Sequence, residues 1–134
     1  MTADMIIDST EERKARGAYF TPPALTRFMT EWAIKSSTDR VLEPSCGDGA
    51  FLMKAVERLG ALKGRAAVEA YELHPASAAK ATQLLATHDY PGRVVVGDFL
   101  ASTAAPTFNA VIGNPPYIRY QAFTGEARSR GTAA

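Results

Sequence analysis

The sequence predicts an α/β fold in which a parallel sheet is built through crossover helices. Three observations carry that expectation. Apolar, strand-like runs alternate with longer runs whose apolar residues recur at helical spacing. Turn residues, chiefly Gly and Pro, separate the two kinds of run. The polar residues with most chemical potential, Glu43, Glu72, Asp98 and Asn114, all fall where a strand-like run ends. A parallel sheet brings such positions to one edge, because its strands all point the same way.

The elements follow in order. Residues 1–16 are polar apart from Met5, Ile6 and Ile7 and are expected to form an amino-terminal arm. In "YFTPPALTRFMTEWAIKSS", Thr21 is the expected N-cap, with Pro22 and Pro23 in the first turn. Leu25, Phe28, Met29 and Trp32 recur at helical spacing and are expected to be the core of this leading helix. A short strand is expected around Val41 and Leu42, then a Gly-containing turn and a helix from Gly49 to Leu59 ended by Gly60. "RAAVEAYEL" reads as a second strand and "PASAAKATQLLATH" as a second crossover helix with Pro75 in its first turn. "RVVVGD" and "FNAVIG" read as the third and fourth strands. The connection between them, residues 99–107, has room for no more than about two helical turns. Residues 124–134 read as a solvated carboxy-terminal tail.

Composition excludes more than it selects. The chain has 134 residues, 46% apolar and 22% charged, and a formal charge of +1. That is enough chain for one small domain with a buried core, and too little net charge to identify a partner. Cys46 is the single cysteine. An internal disulfide is therefore excluded, and a reducing, cytoplasmic setting is the expectation. No apolar run approaches the roughly 20 residues that cross a bilayer, so no membrane partner is expected. His74 and His88 lack a partner cluster in the sequence, so no metal site is expected.

The first strand, "EPSCGDG" and a helix in succession place Gly47 and Gly49 where a backbone can approach a ligand, with free N–H groups at the helix start. Glu72 closes the second strand, where an acid can bind ribose hydroxyls. Asp98 closes the third and can accept from an adenine amino group, with Phe99 beside it to cover the ring. The glycine spacing is not that of a dinucleotide site, because Phe51 and Leu52 follow Ala50. A nucleoside ligand at the carboxyl edge of the sheet is the expectation.

"GAYFTPP", "VLEPSCGDGAFL", "AYELHP", "VVVGDFL" and "FNAVIGNPPY", in that order, resemble the motifs of S-adenosylmethionine-dependent N6-adenine DNA methyltransferases. The order is that of the group in which "TPP" precedes the glycine motif, common in restriction-modification and phage-defence enzymes. The resemblance covers residues 17–123 and implies a Rossmann-like class I methyltransferase fold, cut off after the fourth strand. It implies that Tyr19, Phe20, Thr21 and Pro22, with Glu43, Pro44, Ser45, Cys46, Gly47, Asp48, Gly49 and Phe51, surround the methionine part of S-adenosylmethionine. Glu72 would take the ribose, Leu73 the adenine face, and Asp98 with Phe99 the adenine edge. Asn114, Pro115, Pro116 and Tyr117 would form the catalytic corner, acting on an adenine flipped out of duplex DNA.

That corner suits the chemistry. An adenine amino nitrogen has its lone pair delocalised into the ring, so two acceptors that take both its hydrogens localise and aim the pair. The Asn114 side-chain oxygen and the Pro115 carbonyl are such acceptors, and the prolines remove competing N–H donors. Tyr117 would stack on the base. "NPPY" alone is shared with protein-glutamine methyltransferases, which makes that activity the alternative, and a non-catalytic cofactor-binding or assembly module is a third. A carboxy-terminal target-recognition region or a partner chain is the expected complement.

Overall fold

The computed structural model describes residues 21–102 and 107–115. The arm, Tyr19, Phe20, Pro116, Tyr117 and the tail lie outside the described residues. Helix α1 (Pro23–Ala33) comes first. Strand β1 (Val41–Glu43) leads into α2 (Ala50–Ala61), β2 (Val68–Glu72), α3 (Pro75–Thr87) and β3 (Gly92–Val96). A single 3-10 turn (Phe99–Ala101) precedes β4 (Ala110–Val111). Among the described residues, no helix is long and apolar enough to cross a membrane.

The four strands lie in the order β3-β2-β1-β4, and every pairing is parallel. Parallel register puts Val41, Val68, Gly92 and Ala110 in one row, with Ala70, Val94 and Ile112 further along the same face. Val41, Val68, Ala70, Ala110 and Ile112 join Phe51, Leu52, Val56 and Leu59 of α2 and Ala81 and Leu85 of α3 in the buried core. Leu42, Glu69, Tyr71, Arg93 and Val111 line the opposite face by the same register. Glu69 there accepts from Arg93 Nη2 at 3.0 Å and Tyr71 Oη at 3.1 Å. Val111 is 62% exposed.

Helix α1 departs from the pattern its sequence suggests. Its contact face is Thr26 and Thr30, both buried, with Met29, Ala33 and the following Ile34 against the core. Leu25, Phe28 and Trp32 are exposed, so the expected core stripe points outward and only Met29 of that set packs inward. The two threonines are small enough to let α1 approach closely. Their hydroxyls bond carbonyls of their own helix, Thr26 to Pro23 at 2.8 Å and Thr30 to Arg27 at 3.0 Å, so no polar group is stranded. Thr21 is not the N-cap either: Pro22 occupies that position, and its carbonyl accepts from Leu25 and Thr26.

Nor does Gly60 end α2. The helix runs on to Ala61, and the left-handed position is taken by Lys63 at φ 58°. Gly64 N–H returns to the Leu59 carbonyl and Lys63 N–H to that of Gly60, which is a Schellman closure. Gly64 is required for another reason: a Cβ there would stand 2.5 Å from the Ser37 carbonyl oxygen. Helix α3 closes in the same way through Asp89 at φ 49°.

These two glycines should behave oppositely. Gly60 lies inside the helix with open space around it. Gly60→Ala is therefore expected to raise stability by about 0.5–1 kcal/mol. Gly64→Ala is expected to lower it by about 1–3 kcal/mol. Urea unfolding of the two variants beside the parent chain checks both signs.

Candidate functional site

The strand order creates a switch point. From β1 the chain moves outward to β2 and β3, then crosses back to place β4 on the other side of β1. The carboxyl ends of β1 and β4 therefore open away from each other's connections, the place where parallel α/β sheets hold ligands. Glu43 ends β1, Glu72 ends β2, Asp98 follows β3, and Asn114 follows β4.

The turn after β1 is held rigidly. Cys46 N–H donates to the Tyr71 carbonyl at 2.9 Å, tying it to β2, and Gly49 N–H donates to the Cys46 carbonyl at 3.0 Å. Gly47 and Gly49 both take positive φ, 55° and 95°. They serve different needs. Among the described residues a Cβ on Gly47 would meet nothing within 4 Å. A Cβ on Gly49 would stand 3.1 Å from Cα and Cβ of Ala81, so this glycine lets the start of α2 rest on α3. Phe51 turns inward and belongs to the core. Pro44, Ser45 and Asp48 are half-buried around the turn.

Glu43 is the most unusual group in the site. It is 2% exposed, yet among the described residues its Oε2 is a buried oxygen without a hydrogen-bond partner. Burial, reinforced by the nearby Glu72 carboxylate, pushes its carboxyl up to about 8. A buried acceptor without a donor is costly, and this corner could take a hydrogen-bond donor or a cation. Cys46 shares that environment: burial first, then Glu43 and Glu72, pushes its thiol up to about 12. A thiol so held stays protonated.

On the second and third strands, Gly97 N–H donates to the Glu72 carbonyl at 2.9 Å, which keeps the two strand ends level. Asp98 Oδ1 caps the 3-10 turn by accepting from Leu100 N–H at 3.0 Å. The Phe99 ring meets Tyr71 edge-on at 5.3 Å, and Leu73 is 66% exposed at the mouth. Leu73 and Phe99, the residues expected about an adenine, both lie at the carboxyl edge of the sheet, Leu73 open to solvent and Phe99 against Tyr71.

Strand β4 brings the last component. Ile112 N–H donates to the Leu42 carbonyl at 3.0 Å, and a Cβ on Gly113 would stand 3.8 Å from Glu43 Cγ and Pro44 Cδ. The Asn114–Pro115 corner therefore follows directly on the glycine turn. Asn114 Nδ2 donates to Thr21 Oγ1 at 2.9 Å. No sequence signal relates those two residues, which stand 93 positions apart. Asn109, also passed over in the sequence, starts β4 by accepting Arg40 N–H on its side-chain oxygen at 2.8 Å.

Other features lie apart from this edge. His74 Nδ1 accepts from Ser77 N–H at the head of α3, and His88 Nδ1 lies 2.8 Å from the Leu84 carbonyl at its tail. Among the described residues, no group of three His, Cys, Asp or Glu side chains could hold a metal ion. An open groove of about 630 Å³ runs between α3 and Val96, lined by residues such as Ala79, Gln83 and Ala86. It carries no titratable side chain and adds nothing to the switch-point chemistry.

Comparison with known proteins supplies the context. The sequence profile described as N-6 DNA Methylase matches residues 5–130. Type II methyltransferase M.XamI of Xanthomonas campestris pv. amaranthicola is 31% identical over 125 residues, 89% of this chain and 23% of that protein. Type II methyltransferase M.HincII of Haemophilus influenzae is 28% identical over 105 residues, 78% of this chain and 18% of that protein. The chain thus spans less than a quarter of the length of these curated relatives. Among solved structures, a type I restriction-modification methyltransferase subunit from Streptococcus thermophilus superposes with a TM-score of 0.65 at 24% identity, over 74% of this chain and 23% of its own. A dimethyladenosine transferase from Plasmodium falciparum does so at 0.60 and 20% identity, over 85% and 38%. These likenesses establish a class I methyltransferase fold of the Rossmann-like kind.

The buried carboxyl of Glu43 makes stability depend on pH. Its folded value, about 8, lies above the ordinary 4.5, so the folded state holds the proton that the unfolded chain gives up. Below about pH 4.5 both states are protonated and the folded chain keeps its full stability. Stability then falls as pH rises to about 8 and levels off, a loss on the order of a few kcal/mol. Glu43→Gln should remove most of that fall, so that its advantage over the parent grows with pH. Urea midpoints from pH 5 to pH 9 measure it, and parallel curves for the two proteins would refute the assignment.

Proposed function

This chain belongs to the N-6 DNA Methylase family, and from that premise we propose that it carries the cofactor-binding and catalytic part of an S-adenosylmethionine-dependent adenine-N6 DNA methyltransferase. The observation that carries the proposal is convergence at one sheet edge: Thr21, the turn from Glu43 to Gly49, and Asn114 meet there although they are far apart in sequence. We assign residues 17–123 to this functional core.

The residues present suit the cofactor. The orphaned Glu43 oxygen beside Glu72 asks for a cationic donor, as the ammonium of a methionine moiety is. A pyrophosphate would meet the Glu72 carboxylate with like charge, so a dinucleotide fits poorly. Gly47 leaves room beside the turn for a ligand to lie close to the backbone. Glu72 would hold the ribose hydroxyls, and Asp98 with Leu73 and Phe99 the adenine. When bound, S-adenosylmethionine supplies an electrophilic sulfonium methyl group.

The protein's own task is at the other reactant. Asn114 Oδ1 and the Pro115 carbonyl accept the two hydrogens of a target amino group and hold its lone pair out of conjugation. These are fixed dipoles and need no dedicated general base. The target is an adenine in DNA, rotated out of the helix because a stacked base cannot enter such a corner. The match of residues 5–130 to the N-6 DNA Methylase profile supports DNA as the partner.

Transfer of labelled methyl groups onto adenine-containing DNA, with identification of the methylated base, tests this assignment on the 134-residue chain and on any longer product of its gene. Label on a protein glutamine, with none on DNA, would overturn it. Asn114→Ala is expected to lower methyl transfer at least about 100-fold. S-adenosylmethionine affinity by calorimetry should change little. Equal losses in both would contradict the division of roles.

A further inference from the structure

The geometry points to Thr21 as a positioning residue that holds the Asn114 carboxamide with its oxygen turned to the substrate. This rests on the proposal that Asn114 accepts a hydrogen from the target amino group, and it gives Thr21 a task other than contact with the cofactor.

A carboxamide is nearly symmetric in shape and opposite in chemistry on its two sides. One side accepts, the other donates two hydrogens, and half a turn about the last torsion exchanges them. A substrate amino group meets an acceptor in one orientation and a repelling donor in the other. Asn114 is exposed and lies beyond a two-residue strand, and Pro115 after it has no N–H to tie the corner down. The local backbone therefore does not choose between the orientations. In the structure Asn114 Nδ2 donates to Thr21 Oγ1 at 2.9 Å, so the hydroxyl, which can donate or accept, here accepts from the donor side, holds the amide in place and leaves Oδ1 for the substrate.

Thr21 is well placed to act as that anchor. It directly precedes Pro22 and Pro23, whose rings fix their own φ angles, and the residue before a proline is itself restricted. The Pro22 carbonyl accepts from Leu25 N–H at 3.0 Å and Thr26 N–H at 3.1 Å, so the segment is continuous with α1. Helix α1 is in turn fixed by buried Thr26 and Thr30, and Arg58 Nε of α2 donates to the Ile34 carbonyl at its end at 3.0 Å. Because Thr is β-branched, its χ1 is stiff and the hydroxyl direction is defined. Rigidity thus passes from α2 through α1 and Thr21 to the amide, across the mouth of the site.

Thr21→Val keeps the branching and removes the hydroxyl. It is expected to lower kcat roughly three- to tenfold, the range of one exposed hydrogen bond, with S-adenosylmethionine affinity unchanged. Thr21→Ser should recover most of the rate. Independently of activity, the two Nδ2 proton resonances of Asn114 should exchange faster with solvent in Thr21→Val than in the parent. Loss of cofactor affinity in step with kcat would make Thr21 a cofactor contact and overturn the inference, as would Asn114 resonances indifferent to the substitution. A parent protein with no methyl transfer to DNA would instead sink the functional proposal, and the amide resonances would still decide the Thr21–Asn114 bond.

Discussion

The parallel pairing of β1 with a neighbour on each side is the constraint from which the rest follows. Its three residues, Val41 to Glu43, are all buried, paired with β2 from Val68 to Ala70 and with β4 at Ala110 and Val111. A strand paired on both sides has its N–H and C=O groups satisfied by the sheet. The chain leaving it must therefore turn sharply at Glu43, and the turn must supply its own bonds. The Cys46 donation to Tyr71 and the Gly49 donation to Cys46 do this. Position in the sheet thus dictates where the glycines have to be.

The same pairing explains why polar chemistry gathers where it does. Glu43 lies on the helix-covered side of the sheet, in the row of Val41 and Ala70, and so it is buried by the core that makes the fold stable. An acid in that row is a stability cost with no structural return from the described residues. Its presence singles out this edge of the sheet beside the glycine turn. Meanwhile Gly113 brings the β4 corner beside Glu43 and Pro44, so that methyl donor and methyl acceptor groups would meet over the shortest strand in the sheet.

Much of this was legible in the sequence, and the limits are physical. Alternating periodicity set the order of strands and helices, and turn residues set their ends to within a few positions. Glu72, Asp98 and Asn114 could be assigned to one edge because a parallel sheet leaves no other arrangement. Three features could not be read. The apolar stripe of α1 suggested burial, but packing favoured the small face at Thr26, Thr30 and Ala33, and no local signal ranks a close approach above a larger hydrophobic area. Gly60 looked like a helix end because glycine accepts the left-handed position most readily, whereas Lys63 occupies it and the strict need for glycine is one residue on. The bond between Thr21 and Asn114 joins residues 93 apart, and only the assembled fold brings them together.

The contact between Gly49 and Ala81 makes the glycine turn sensitive to a position on a different helix. Ala81 lies in the middle of α3, fully buried and distant in sequence from every proposed ligand contact. It nevertheless abuts the residue that ends the ligand turn. A bulkier side chain at position 81 would press on the start of α2 and shift the turn with it, so a substitution remote in sequence would act on the candidate site.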